Sequence, residues 1–268
     1  MAIAAKDVMG LRQKTGLGMM ECKQALQETD GDVEAAVELL RKKLKGKMDE
    51  RSERAAAEGV VQVARRDGEA AIIELNSETD FAARNESFQE AADKLAELAL
   101  EAGRDGPVEP GDAMNQVVEN LRITIKENIS YRRGEKLSGE KIGSYVHHNG
   151  QVGVILAASG PIDEELLTGV CQHIAANVPT PLAVDEAGLP QDLKDKALAE
   201  AKEEAVASGK PEEIADKIAK GKYSKWVSDH TLLGQQYVKD MEGKATIGEK
   251  LAEGATLHSF VRYAVGMD

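Results

Sequence analysis

The feature that most constrains the fold is a strand–turn–strand pattern followed by a helical pattern, which occurs twice. In the first copy, the apolar runs Val60–Val63 and Ala71–Leu75 flank the turn residues Arg66-Asp67-Gly68. This order predicts a β-hairpin. Apolar residues then recur at helical spacing, which predicts a helix with one buried face; they are Phe88, Ala92, Leu95 and Leu98.

The second copy repeats this order. Asn149-Gly150, a dipeptide typical of a tight hairpin turn, separates the runs Ser144–His148 and Val152–Leu156. A helix is predicted to follow, from about Glu164 to Asn177. The two copies together predict an α+β fold with a two-subdomain core, in which hairpins pack with helices.

Helical patterns precede and separate the two copies. The first 40 residues predict a bundle of three helices, broken at Thr15–Gly18 and Thr29–Gly31, with Asp32 as the cap of the third helix. Residues 103–111 are predicted to form a loop. A further helix is predicted from about Asp112 to Lys126.

Two helices rich in Ala, Lys and Glu are predicted at 191–208 and 212–225, on either side of Gly209-Lys210-Pro211. They predict an antiparallel helical hairpin that is inserted into the second subdomain. Its apolar face can join its own two helices or pair with a second copy of the chain. The second alternative would give a homodimer through the helical hairpin, and the sequence leaves both open.

Strand patterns return after the helical hairpin, at Gln236–Val238 and at Thr256–Val265, where Leu257, Val261 and Tyr263 are expected on one face. Thr246–Glu249 has the spacing of a capping box. We therefore expect four units: a helical module with its linker (1–54), a first subdomain (55–140), a second subdomain (141–179 and 229–268) and the inserted hairpin (180–228).

Composition disfavours several classes of function. The chain has 268 residues and a net charge of −13, which opposes general attraction to nucleic acids or anionic membranes. Its only dense basic run, Arg41–Lys47, is either a solvated helix end or a short RNA contact. The apolar runs are shorter than the ~20 residues of a membrane span, and the first residues do not resemble a signal peptide. A cytoplasmic protein is expected, with Cys22 and Cys171 as buried thiols.

Motifs for covalent chemistry are missing from the sequence. There is no GxSxG segment, no P-loop lysine motif and no dinucleotide-binding glycine motif. The five histidines lack metal-ligand spacing, and the adjacent His147 and His148 are expected on opposite faces of a strand. We therefore predict no enzyme activity, no catalytic residue, no metal and no cofactor.

The segment Leu75–Arg84 is the candidate functional segment. Its polar residues Asn76–Asp80 predict a strand-to-helix loop with Phe81 at the far edge, in a chain with only 3% aromatic residues. An aromatic side chain on a loop can anchor a partner protein. It can equally fold back under the next helix as a hydrophobic staple. The pattern alone does not separate these alternatives.

Four short motifs carry a family resemblance. They are Leu11-Arg12 with Thr15–Lys23, Thr79-Asp80-Phe81, Ser208-Gly209-Lys210-Pro211 and Phe260-Val261-Arg262-Tyr263. In this order they resemble the bacterial elongation factor Ts family, the nucleotide exchange factors of elongation factor Tu, over nearly the whole chain. The resemblance implies a helical module similar to ubiquitin-associated (UBA) domains and a coiled-coil form of the inserted hairpin.

The resemblance also implies a function in translation elongation. The chain would bind elongation factor Tu·GDP, promote GDP release and stabilise the nucleotide-free partner until GTP binds. Thr79, Asp80, Phe81 and Ala82 would form the exchange loop, with Phe81 between partner helices beside the magnesium and phosphate site. Further partner contacts are implied for Leu11, Arg12, Met19, Met20, Lys23, Ile125, Glu127, Asn128 and His147.

The sequence departs from the family at one of these positions. The segment that usually reads Ile-Gly-Glu-Asn is Ile125-Lys126-Glu127-Asn128 here, so the close backbone approach that the glycine allows is not assumed. Two other hypotheses stay open. One is an adaptor that binds the partner without changing GDP release, and the other is an RNA-binding protein that uses Arg41–Lys47.

Overall fold

The computed structural model describes residues 3–49, 55–207, 209–240 and 243–267. Within these ranges, three helices precede two antiparallel sheets, and two long helices are inserted before the last strand. This is the predicted α+β fold, with its N-terminal helices, its core of hairpins and helices and its inserted helical hairpin. Among the described residues, no helix is both long enough and apolar enough to span a bilayer.

The helical module consists of α1 (Ala5–Thr15), α2 (Met19–Glu28) and α3 (Val33–Asp49). The predicted cap is confirmed, because the Asp32 carboxylate accepts hydrogen bonds from the backbone N–H groups of Glu34 and Ala35. The basic run begins inside α3, and its first residues, 41–43, are exposed. Residues 50–54 of the predicted linker lie outside the described residues. The small core of the module is formed by Val8, Leu11, Leu17, Cys22, Ala25, Leu26, Ala36 and Leu40.

The first sheet has the strand order β1-β2-β4-β3. Its strands are β1 (Glu58–Arg66), β2 (Glu69–Ser77), β3 (Gly106–Pro107) and β4 (Ser130–Ser138). The helices of this unit are α4 (Asp80–Ala83), α5 (Glu86–Leu100) and α6 (Asp112–Ile125). The β1–β2 hairpin and helices α5 and α6 match the prediction. The predicted loop 103–111 contains the short strand β3, and β4 was not predicted at all.

Strand β4 is missing from the sequence prediction because its buried side chains include charged ones. The carboxylate of Glu74 on β2 is fully buried, and it accepts a 2.8 Å hydrogen bond from Nε of Arg133 on β4. The backbone N–H of Gly266 donates to the same carboxylate. Lys136, also on β4, donates to the carbonyl of Ala102 at 2.9 Å. Charges paired in this way can lie in a sheet, although they interrupt the apolar pattern.

The second sheet has the order β5-β6-β7. Its strands are β5 (Lys141–Val146), β6 (Val152–Ser159) and β7 (Thr256–Ala264), and its helices are α7 (Glu164–Ala176), α8 (Gln191–Ala207), α9 (Glu212–His230) and α10 (Ile247–Lys250). Two predictions need correction. Residues 236–238 form no strand, since only Gln236 bridges to Thr246. A bulge in the β6–β7 pairing also turns Leu257 away from the face that holds Val261.

The two sheets pack face to face, and helices cover their outer faces. Gly153 on β6 permits the close approach, because a Cβ atom at this position would lie 2.5 Å from Cγ1 of Val61 on β1. The backbone N–H of Val61 also donates to the carbonyl of Gly150, in the β5–β6 turn, at 2.7 Å. The residues between the sheets are Val61, Ala70, Ile72, Leu137, Ile142, Ile155, Ala157, Val261 and Tyr263.

Helices α8 and α9 pack against each other through small residues. Ala205 on α8 and Ala215 and Ala219 on α9 are buried between them. The apolar face of the hairpin therefore joins its own two helices, the first of the two alternatives. Helix α9 runs to His230, beyond the predicted end at 225. Pairing with a second copy of the chain remains a prediction.

A buried histidine connects α7 to the segment after α9. Nδ1 of His173 accepts from the backbone N–H of Val238 at 3.2 Å, so the ring proton is on Nε2, which faces the side-chain oxygen of Gln235 at 2.9 Å. The amide nitrogen of Gln235 donates to the carbonyls of Pro179 and Asp229, which fixes this orientation. Burial lowers the pKa of His173, and the neutral ring suits its two hydrogen bonds.

We expect the stability of the protein to fall as the pH drops below about 6.5, the pKa of an unperturbed histidine. His173 is neutral in both states above that pH. Below it, the unfolded chain takes up a proton first, because the pKa in the folded state is lowered. The slope from this residue is at most about 1.4 kcal/mol per pH unit. Urea unfolding between pH 7.5 and 5.5 measures it.

His173→Gln is the comparison variant, since it removes the titrating group. Its free energy of unfolding should depend less on pH over the same range, whatever its absolute stability. Equal pH dependence in the two proteins would contradict the assignment. An NMR titration of the wild-type ring gives an independent test, because the midpoint of the His173 signals should lie below about 6.5, the pKa of an unperturbed histidine.

Candidate functional site

The predicted strand-to-helix loop is shorter than expected, since β2 extends to Ser77 and the one-turn helix α4 begins at Asp80. Thr79 is its N-cap, and the Thr79 hydroxyl oxygen accepts from the backbone N–H of Ala82 at 3.2 Å. Asp80 lies in the first turn, where a carboxylate favours the helix dipole. Its carboxylate is 3.1 Å from the guanidinium of Arg84. A threonine cap followed by an acid is a local signal for such a turn.

Phe81 projects into solvent from α4. Its side chain is 81% exposed, whereas Phe88 is fully buried and Phe260 is half-buried. The hydrophobic staple is therefore wrong, since Phe81 does not pack under α5. Ala82 and Ala83 on the same turn are buried. The side chain of Ala82 faces the core and supports the turn, and its place in the exchange loop remains a prediction.

Two carboxylates bind the segment before α4 to the segment after α6. Glu127 accepts from the hydroxyl of Thr79 at 2.8 Å and from the Thr79 backbone N–H at 3.1 Å. Glu78 accepts from the backbone N–H of Asn128 at 2.7 Å. Asn128 is buried in this structure, and its expected partner contact remains a prediction. Ile125 is half-buried against the core of the first sheet.

A groove of about 810 Å³ lies beside α4. Asp80 and Arg84 line it on one side, and His147 and His148 line it on the other. Strand β1 contributes its outer edge, including Val61, whose backbone N–H donates to the β5–β6 turn. The fold thus brings α4 and His147, which are distant in sequence, to one surface.

The two histidines of this groove are placed differently from the prediction. Strand β5 ends at Val146, so neither His147 nor His148 lies in a strand. Their ring centroids are only 4.2 Å apart, which places them on the same side of the chain. Nδ1 of His147 is 2.8 Å from the hydroxyl of Tyr145, and this contact orients the ring.

The helical module presents most of its expected contact residues to solvent. Arg12, Met19, Met20 and Lys23 are exposed, with Met20 at 75%. Leu11 has no exposed surface, because it lies in the core of the module. Its expected partner contact is therefore corrected to a packing role. The expected contacts of the exposed residues remain predictions.

Several residues of this surface were missed by sequence reasoning. Glu78 and Arg84 lie in the candidate segment and His148 follows His147, but none of the three was assigned a role; Glu78 binds Asn128, Arg84 pairs with Asp80 and His148 lines the groove. Within the described ranges, no group of three or more His, Cys, Asp or Glu residues could hold a metal ion. The surface offers exposed apolar side chains and hydrogen-bonding groups, which suit contact with another protein.

Lys126 adopts an unusual backbone conformation at the C-cap of α6. Its φ is +66°, in the left-handed region that favours glycine. This is the position at which the sequence departs from the Ile-Gly-Glu-Asn pattern. Its ammonium group is 3.3 Å from the carboxylate of Glu21 on α2. The lysine thus gains an exposed ion pair, worth about 0–1 kcal/mol, while it retains the backbone strain of a non-glycine residue.

We expect Lys126→Gly to unfold at a higher urea concentration than Lys126→Ala. Both variants lose the ion pair, but only glycine relieves the left-handed strain, which costs ~1–2 kcal/mol. Part of the gain is offset because glycine makes the unfolded chain more flexible. The expected difference is about 1 kcal/mol in the free energy of unfolding. Equal stabilities of the two variants would show that position 126 is not strained.

Comparisons with known proteins agree with the motifs. The sequence model of the family described as Elongation factor TS matches residues 78–267. Elongation factor Ts of Thioalkalivibrio sulfidiphilus is 43% identical, with 99% of this chain and 93% of that protein aligned. The proteins of the same name from Alkalilimnicola ehrlichii and Idiomarina loihiensis are 42% and 40% identical over 99% of this chain and 93% and 92% of their own lengths. With such identity over nearly its whole length, the chain belongs to the elongation factor Ts family of translation elongation factors.

Proposed function

We propose that this protein accelerates the release of GDP from elongation factor Tu and stabilises the nucleotide-free partner until GTP binds. The observation that carries the proposal is the exposure of Phe81 on a turn whose other residues are held by the fold. An exposed aromatic side chain on a supported turn is ready to enter a partner. This function involves no covalent chemistry, and a partner that acts in translation implies a cytoplasmic location.

Exchange requires that the factor bind the nucleotide-free partner more tightly than the GDP-bound partner. Only such a difference in affinity can shift the partner toward the state that has lost its nucleotide. Burial of a phenylalanine side chain contributes ~1.5–3 kcal/mol. Since each 1.4 kcal/mol is about tenfold in affinity, Phe81 supplies roughly one to two orders of magnitude. Phe81 would gain this burial energy by entering a site of elongation factor Tu, beside its magnesium ion and phosphates, that opens only when GDP leaves.

Asp80 is positioned to exchange one hydrogen-bond partner for another. Its carboxylate pairs with Arg84 at the surface, where both side chains are partly exposed. Such a pair is worth about 0–1 kcal/mol. Asp80 can therefore leave Arg84 and accept from a donor of elongation factor Tu at small cost. This role is consistent with its place at the edge of the groove next to His147.

The remaining affinity would come from the wider surface. Met19, Met20 and Lys23 on α2 are exposed together, and exposed methionines adapt well to an apolar partner surface. The groove that joins α4 to His147 extends this surface into the second sheet. A net charge of −13 fits a protein partner better than a nucleic acid, so no direct contact with RNA is proposed.

Phe81→Ala tests the proposal. We expect it to reduce the maximal rate of GDP release from elongation factor Tu about 10- to 100-fold, because the burial energy of the aromatic ring is lost. Release of a fluorescent GDP analogue, followed by stopped flow over a range of factor concentrations, measures this rate.

Val206→Ala is the matched control, since Val206 is also highly exposed but lies near the end of α8. It should release GDP at the wild-type rate. If Phe81→Ala matches the wild type, Phe81 has no part in exchange. If the wild-type chain binds elongation factor Tu but leaves GDP release unchanged, the protein is an adaptor and the proposal is wrong.

A further inference from the structure

We infer that Glu127 is the residue that positions α4, and that its carboxylate sets the direction in which Phe81 projects by holding Thr79. The inference rests on the proposed function, because it concerns how Phe81 is presented to elongation factor Tu. The resemblance to the family assigns Glu127 to direct partner contact. Both of its carboxylate oxygens are instead engaged inside this chain.

Helix α4 needs support from outside because it is too short to be stable alone. A single turn fixes several backbone angles for very few hydrogen bonds, so isolated turns are unfavourable in water. Phe81 adds no support, since its side chain is largely exposed. The direction of the turn is therefore set by the buried Ala82 and Ala83 on one side and by the N-cap Thr79 at its start.

Thr79 takes part in three hydrogen bonds that connect Glu127 to α4. The Thr79 hydroxyl donates its one proton to Glu127 at 2.8 Å, which leaves its lone pairs free to accept from Ala82 N–H at 3.2 Å. The second oxygen of Glu127 accepts from the Thr79 backbone N–H at 3.1 Å. An ionised carboxylate can accept both hydrogen bonds at once. The side-chain amide of glutamine has one acceptor oxygen, so it can accept only one of them, and its NH2 group can meet the Thr79 hydroxyl only as a neutral donor, without the charge-assisted bond to a carboxylate.

The residues on either side of Glu127 also contact other parts of the chain. Lys126 ends α6 and pairs with Glu21 of α2, and the backbone N–H of Asn128 binds Glu78. Three consecutive residues thus connect α2, α4 and α6. The exposed methionines of α2 and the exposed Phe81 of α4 are therefore linked through this segment, although the exposed Lys126–Glu21 pair contributes only about 0–1 kcal/mol.

The first test compares Glu127→Gln with the wild type in the GDP-release assay on elongation factor Tu. We expect the maximal release rate to fall about tenfold, since one hydrogen bond to a charged group is lost. The factor concentration at half-maximal rate should change less than about twofold, because the other contacts are intact. Glu90→Gln, at an exposed position on α5, is the matched control and should behave as the wild type.

Variants of Thr79 give the same test without changing Glu127. Thr79→Val removes the hydroxyl at nearly constant shape, whereas Thr79→Ser retains it. We expect Thr79→Val to lower the maximal rate and Thr79→Ser to recover most of it. If Glu127→Gln proves unfolded by thermal melting, this pair decides the question, and equal rates for the two variants would overturn the inference.

A double-mutant cycle separates positioning from a general structural role. In the Phe81→Ala background, Glu127→Gln should cause no further loss of release rate, because no phenylalanine remains to be positioned. If the double variant loses release rate by the product of the two single-variant factors, the inference is overturned. A wild-type release rate for Glu127→Gln alone would also overturn it. If Phe81→Ala by itself leaves the rate unchanged, the proposed function fails, and the inference fails with it.

Discussion

The close approach of the two sheets at Gly153 is the contact on which the candidate site depends. A side chain there would collide with Val61, and a Cβ atom would also come within 3.3 Å of Ile72. With glycine in place, the β5–β6 turn reaches the edge of β1 and hydrogen-bonds to it. This brings His147 to the same groove as Asp80. The surface proposed to receive elongation factor Tu is thus a product of sheet packing, and each subdomain alone would present only half of it.

Local signals were sufficient to predict much of the fold. Turn dipeptides such as Asn149-Gly150 and the helical spacing of Phe88, Ala92 and Leu95 depend on neighbouring residues only, so both hairpins and the long helices could be read from the sequence. Strand β4 could not, because its charged side chains Arg133 and Lys136 are paired with Glu74 and Glu69, which are distant in sequence. The face of Leu257 was misassigned because a bulge shifts the register of β7.

The candidate site was predicted less completely than the fold. The motif Thr79-Asp80-Phe81 identified the segment that presents an exposed aromatic side chain, yet a single helical turn has no periodicity that the sequence can reveal. Whether Phe81 packs inward or outward depends on α5 and on burial of its neighbours, and only the structure separates the two. Leu11, Ala82 and Asn128 were implied as partner-binding residues by the same resemblance but are buried. Motif membership therefore marked the region of the site without distinguishing the residues that contact a partner from those that support them.

The buried carboxylate of Glu74 has a consequence for how the chain folds. It lies on β2, but its partners include Arg133 of β4 and the backbone N–H of Gly266, just after β7. Arg133 in turn donates to the carbonyl of Met267. Its two ion-pair partners, Arg132 and Arg133, both lie on β4, so before β7 is synthesised the carboxylate is already paired but lacks the hydrogen bond from Gly266. The hydrogen bonds of the first sheet are therefore complete only after β7 has formed. We expect the two sheets to unfold in a single cooperative transition.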